Sequence, residues 1–116
     1  MKLQEIVAEL GLTELNAGAG DATAEVTRGY ASDLLSDVLA HAPAGGLLVT
    51  LQVHLNVVAV AGHADIAAVV FSGGRRPDED VVAKATEEGL ALYGADDDTF
   101  EVVGRLYTRG VRGCGA

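Results

Sequence analysis

Three short apolar runs, LLVTLQV (47–53), IAAVVFS (66–72) and LALYGA (90–95), recur along the chain, each bounded by turn residues and separated by segments with room for one helix. That spacing constrains the fold more than any other feature, because parallel strands cannot be joined by a tight turn and need a crossover between them. From Ser32 onward strands alternate with helices, and the pattern predicts a three-layer α/β domain with a mostly parallel sheet of four to five strands. The composition suits that fold: 49% of residues are apolar but only 4% are aromatic, with no Trp, so the core is aliphatic, as expected where helices cover a parallel sheet. A length of 116 residues predicts one domain. Residues 1–110 are assigned to it, and the Gly-rich 111–116 to a flexible tail that frays.

MKLQEIVAELGL places Leu3, Ile6, Val7 and Leu10 at helical spacing and stops at Gly11. TELNAG reads as a short strand, AGAGDATAE as a loop and AEVTRGYA as a second short extended piece. A helix follows over SDLLSDVLAHA, with Ser32 as its N-cap and Leu34, Leu35, Val38 and Leu39 as its buried stripe. RRPDEDVVAKATEEG reads as a helix with Pro77 in the first turn, Asp78, Glu79 and Asp80 complementing the dipole there, and Gly89 as the stop. DDDTFEVVGRLYTRGV gives a last helix, acidic at its start and basic at its end. Residues 55–64 stay open between two readings: the crossover length favours a short helix, whereas Val57, Val58 and Val60 favour a strand locally.

The formal charge of −9 and pI near 4.5 argue against a nucleic-acid backbone or an anionic membrane as partner, since neither is attracted to a net negative body. The N-terminal stretch interleaves Gln4, Glu5 and Glu9 with its apolar residues, so it reads as neither a signal peptide nor a membrane span. Cys114 is the one cysteine, which leaves no internal disulfide and points to a reducing, cytoplasmic setting.

In open parallel sheets, ligands bind beyond the carboxyl ends of the strands, where helix N-termini and loop amides converge. Polar residues gather at those positions here. Gly29, Tyr30, Ser32 and Asp33 follow the second extended piece, Thr50, Gln52, His54 and Asn56 end the central strand, and Gly73, Gly74 and Arg75 follow the next. The alternation in TLQVHLN sets Thr50, Gln52 and His54 on one strand face, and that face is expected to open onto a small binding cleft. The competing reading is an edge strand with one wet side, or Thr50 and Gln52 bonded to neighbouring loops. FSGGRRP has the small turn and adjacent cations that a phosphate or carboxylate would suit, although a Gly-Gly turn before a helix also serves as plain architecture.

Asp96, Asp97 and Asp98 read as a helix cap rather than a cation site, which needs oxygens from several segments. No GxxxxGK[ST] loop occurs, and GAGDA is too short for a dinucleotide fingerprint. A catalytic grouping of Ser32, Asp33 and His54 can be drawn, but a capping Ser32 explains that residue without a reaction, and Cys114 in a tail is a poor nucleophile. The expectation is a chain that is not an enzyme and uses no metal or cofactor.

VTRGYASDLLSDVLAHA, followed by TLQVHLNVVAVA and VVFSGGRRPDEDVVAKATEEGLAL, resembles the DRTGG domain, which occurs alone, beside CBS domains and within phosphotransacetylase-type proteins. GYASDLLS is also similar to the N-terminal domain of HPr kinase/phosphorylase. The likeness covers nearly the whole chain and implies a stand-alone, Rossmann-like accessory domain, usually regulatory. In the HPr kinase, phosphotransfer belongs to a separate domain with a P-loop, which this sequence lacks. The resemblance marks Gly29 to Asp33 as a family loop without giving any of its residues a chemical role.

LNVVAVAGHA is apolar on nearly every side, and a helix of that kind must be covered all round, which a homodimer would do. Two functions are expected from these features. One is a non-catalytic regulatory domain, a homodimer, that senses a small anionic metabolite or nucleotide across the three loops. The other is an interaction module that docks onto a metabolic enzyme or kinase complex through its acidic surface.

Overall fold

The computed structural model describes residues 1–114. The apolar runs form strands β3 (Leu47–Thr50), β4 (Ala68–Phe71) and β5 (Ala91–Gly94), and every residue in them is buried. They pair in parallel, with Leu47 opposite Ala68 and Ala68 opposite Ala91. β2 (Gly29–Ala31) adds in parallel beside β3, and β1 (Thr13–Glu14) adds antiparallel beside β5. The order is β1-β5-β4-β3-β2, so the described residues hold a five-stranded α/β sheet that is mostly parallel but mixed.

Successive strand residues point to opposite faces. Leu47, Val49, Ala68, Val70, Ala91 and Tyr93 therefore enter one apolar cluster, and Leu48, Val69, Phe71 and Leu92 enter another. The helices divide between them. α1 (Leu3–Leu10) and α5 (Thr99–Thr108) give Leu3, Ile6, Leu10, Val102 and Leu106 to the first. α2 (Leu35–His41), α3 (Asn56–His63) and α4 (Glu79–Glu87) give Val38, Val57, Val58, Ala61, Val81 and Ala85 to the second. Each fully buried Leu, Ile or Phe side chain is worth about 1.5–3 kcal/mol of transfer free energy, so these two clusters anchor the helices to the sheet.

Local signals set the boundaries. Gly11 closes α1 in the left-handed region at φ 64, as its position predicts. β1 stops after two residues because the Asn16 side chain takes over the pairing: its Nδ2 donates to the Leu90 carbonyl at 2.8 Å, and its Oδ1 accepts the Leu92 N–H at 2.8 Å. No helix among the described residues is long and apolar enough to cross a membrane.

Several expectations are corrected. The central strand ends at Thr50, not at residue 53. Residues 56–63 are helix, which settles the open segment against a strand. α2 begins at Leu35, with Leu34 rather than Ser32 at the N-cap position. Its expected four-residue buried stripe is reduced to Val38, while Leu34 is 65% exposed. Pro77 precedes the Asp78 cap of α4 instead of lying in its first turn. α3 is apolar on one side only: Val57, Val58 and Ala61 are buried, whereas Asn56, Ala59, Gly62 and His63 face outward. The need for a partner to cover α3 therefore disappears.

Residues 111–112, assigned to the tail, are held in place. Val111 is buried, and Arg112 bridges Arg28 in parallel, with its N–H donating to the Thr27 carbonyl at 3.0 Å and its carbonyl accepting the Gly29 N–H at 2.9 Å. Residues 115–116 of that tail lie outside the described residues.

Candidate functional site

β2 to β5 run parallel, so the segments leaving their carboxyl ends emerge along one edge of the sheet. Those segments are 32–34, 51–55, 72–78 and 95–98. Ser32, Asp33, Gln52, His54, Gly73, Gly74 and Arg75 all sit on this rim, and Thr50 and Asn56 flank it.

The first stitch joins the ends of β2 and β3. The Thr50 hydroxyl is buried and donates to Asp33 Oδ1 at 3.2 Å, and the same carboxylate oxygen accepts the Leu51 N–H at 2.7 Å. A ladder comes next. Thr50 Oγ1 accepts the Gln52 N–H at 3.0 Å, Gln52 Oε1 accepts the His54 N–H at 3.3 Å, and His54 Nδ1 accepts the Asn56 N–H at 3.0 Å. Each polar side chain holds the backbone amide two residues ahead, which is how Ser, Thr and Asx side chains make turns. The polar spacing of TLQVHLN thus belongs to a run of turns and not to a strand face. The expectation that Gln52 and His54 share a strand face with Thr50 is overturned, because residues 51–55 lie outside the sheet.

The ladder also polarises the loop. An accepting Nδ1 carries no proton, so the His54 ring N–H is at Nε2. An accepting Gln52 Oε1 likewise leaves the amide Nε2 hydrogens free. Among the described residues, neither nitrogen has a hydrogen-bond partner, and His54 is exposed. The loop therefore turns its acceptors onto itself and its donors outward.

The segment after β4 is built differently. Gly73 donates its N–H to the Asp97 carbonyl at 2.7 Å and Gly74 donates to the Ala95 carbonyl at 2.9 Å, so the amides that a phosphate would use are already taken. Both glycines have positive φ, 68 and 72, which an L side chain rarely adopts. Ser72 is buried, and its hydroxyl meets that of Thr99 at 2.6 Å. Arg76 pairs with Asp96 at 3.2 Å and lies over Gly94, where a Cβ would overlap the guanidinium. The Arg75 guanidinium has no hydrogen bond or ion pair among the described residues. A Cβ on Gly73 would stand 3.2 Å from Leu51 Cδ2, which places this turn against the β3 loop.

Tyr30 is directed to α2, where its hydroxyl donates to Asp37 Oδ2 at 2.7 Å. That bond is the main cause that holds the Asp37 carboxyl below the usual carboxylate range, and the carboxylate pushes the Tyr30 hydroxyl up. No bond joins Ser32, Asp33 and His54 into a relay: Asp33 serves Thr50 and Leu51, and His54 Nδ1 serves Asn56. Among the described residues no three His, Cys, Asp or Glu side chains gather as metal ligands. Asp98 caps α5 by accepting the Glu101 N–H at 2.9 Å.

Gly29 and Tyr30 border a second feature that sequence reading missed. A half-open cavity of about 300 Å³ lies between the β2 edge and α5, walled by Val49, Val103, Leu106 and Val111. The Arg112 guanidinium stacks 4.1 Å from the centroid of Tyr107 on its border. No local signal announces it, because it forms only when residues 111–114 return to β2.

The CBS and DRTGG domains of the regulatory region of a Clostridium perfringens pyrophosphatase, solved with the activator diadenosine tetraphosphate, share this fold with a TM-score of 0.73 and 13% sequence identity. The match covers 95% of this chain and 47% of that chain, so the present chain spans about half of its length. At that identity the likeness shows the fold alone, and it agrees with the DRTGG-like fold expected from the sequence. No family model and no curated sequence matches the chain.

Proposed function

We propose that this chain is a non-catalytic regulatory domain, three-layered and Rossmann-like, that senses a small anionic metabolite or nucleotide at the rim formed by the loops after β2, β3 and β4. It works in the cytoplasm as a homodimer. The observation that carries the reading is the polarity of residues 50–56: Gln52 Oε1 and His54 Nδ1 face their own backbone, while the Gln52 amide and His54 Nε2–H have no partner among the described residues. Together with the unpaired Arg75 guanidinium, these are donors suited to an anion, and charge-assisted bonds from a guanidinium are the strong ones. The rim segments also carry Asp33, Asp78, Asp96, Asp97 and Asp98, so anion binding there rests on these placed donors and not on net charge. The similar pyrophosphatase region, whose activator is a nucleotide, supports the ligand class.

The test is a thermal-shift series with inorganic pyrophosphate, AMP, ATP and diadenosine tetraphosphate. A ligand present at about 100 times its dissociation constant stabilises by roughly 2.7 kcal/mol. Arg75→Ala should abolish the response while leaving the unliganded midpoint nearly unchanged, and His54→Ala should abolish it with a small drop in that midpoint, because Nδ1 also holds the Asn56 amide. A response untouched by both substitutions would place the site elsewhere. The second reading, an interaction module docking onto a metabolic enzyme, is favoured by Leu34 and Leu55, large apolar side chains exposed next to this rim; it expects no stabiliser in the series.

A further inference from the structure

Along the outer side of α5, Phe100, Val103, Gly104 and Tyr107 follow the i, i+3, i+4, i+7 spacing that sets residues on one helix face. Phe100 is 88% exposed, Val103 and Tyr107 are exposed as well, and a Cβ built on Gly104 would have nothing within 4 Å. None of these residues carries charge, on a chain whose net charge is −9. The cavity walled by Val103, Leu106 and Val111 runs alongside and extends the apolar surface.

We infer that this face is the contact between two copies of the chain, with α5 crossing the partner's α5 antiparallel about a two-fold axis between residues 103 and 104. The inference rests on the homodimer reading and gives it a place; it makes no use of the anion rim. An isologous contact must be complementary to itself. About this axis, residues equidistant from it meet at one level, so Phe100 stands opposite the partner's Tyr107 and Val103 lies over the partner's Gly104, each twice. An aromatic pair and a side chain over a glycine are both favourable fits.

Charge gives the sense of the crossing and the identity of the occupant. The start of α5 carries Asp98 and Glu101, which have no ion pair among the described residues, whereas its end carries Arg112 stacked on Tyr107. Antiparallel apposition sets the acidic end of each copy beside the cationic end of the other, while parallel apposition would set like against like. Two bodies of charge −9 repel, and an uncharged stripe is where they can approach. A standard interface buries about 800 Å² on each partner, more than four side chains supply, so the adjoining cavity wall takes part.

Sedimentation equilibrium of the full chain, at concentrations up to about 1 mM, is expected to give twice the 11.9 kDa chain mass. Phe100→Glu should weaken association at least about tenfold, with the circular dichroism spectrum unchanged, since Phe100 is almost wholly exposed. In a Cys114→Ser background, Gly104→Cys should cross-link to itself under mild oxidation, whereas Glu87→Cys on α4 should not. A wild-type monomer throughout would overturn both this contact and the homodimer reading. A wild-type dimer indifferent to Phe100→Glu and not cross-linked through position 104 would overturn the contact alone. The anion rim stands or falls separately, by its own thermal-shift response.

Discussion

After Thr50 the chain turns by letting side chains hold backbone amides, whereas after Phe71 it turns by letting backbone amides hold the carbonyls of the next loop. Both segments leave parallel strands at the same edge of the sheet, and both must satisfy polar groups that the strand ladders no longer pair. The first uses Asp33, Thr50, Gln52 and His54. The second uses glycines at positive φ, which let the backbone reach the carbonyls of Ala95 and Asp97. One loop is therefore written in polar side chains and keeps free donors outside, while the other is written in glycine and keeps its amides inside. A rim can thus be rigid on one side and chemically available on the other.

The difference can be broken most sharply at Asp33. Asp33→Ala removes the acceptor of the buried Thr50 hydroxyl and of the Leu51 amide, and an unsatisfied buried group costs about 1–3 kcal/mol. Chemical denaturation should show a loss toward the upper end, with Asp33→Asn recovering part of it. On the other loop, Gly73→Ala should cost about 1–2 kcal/mol for its left-handed backbone, and more than Gly74→Ala. Only position 73 would press a Cβ against Leu51, at 3.2 Å, while nothing crowds position 74. Equal losses at 73 and 74 would mean that the two loops do not touch.

The smallest effect tests the anchor between β2 and α2. The Tyr30 hydroxyl, ahead of Ser32 and His41, lowers the Asp37 carboxyl in the folded chain. A carboxyl lowered by folding adds stability that is complete above its unfolded value and is lost as pH falls through the folded one. Tyr30→Phe should move the Asp37 midpoint, followed by carboxyl NMR, up toward the usual carboxylate range and soften the acid sensitivity of the fold. A midpoint that stays low would shift the cause to Ser32 and His41.

Much of the fold was legible in the sequence because its signals are local. Gly11, Gly89 and Asp98 end or begin helices for reasons of backbone conformation and capping, and the apolar runs can only be buried strands. TLQVHLN misled because side chains that cap amides two residues ahead have the same spacing as one face of a strand. The α2 stripe misled because that helix turns only Val38 fully inward, so Leu34 and Leu39 obey helical spacing without being buried. The rim residues could be found from the rule that strand ends gather polar groups, but not which of their atoms would be consumed. The cavity beside α5 depends on a return of the chain between residues far apart, and no window of sequence carries that.

Both margins of the sheet are short. β1 offers two residues, with the Asn16 side chain occupying the β5 edge beyond them, and β2 offers three, overlaid at one end by Arg112. Neither border presents enough open amides and carbonyls to template a foreign strand. An extended segment of another chain therefore finds few backbone partners along either border, and contact with a neighbour falls to side chains.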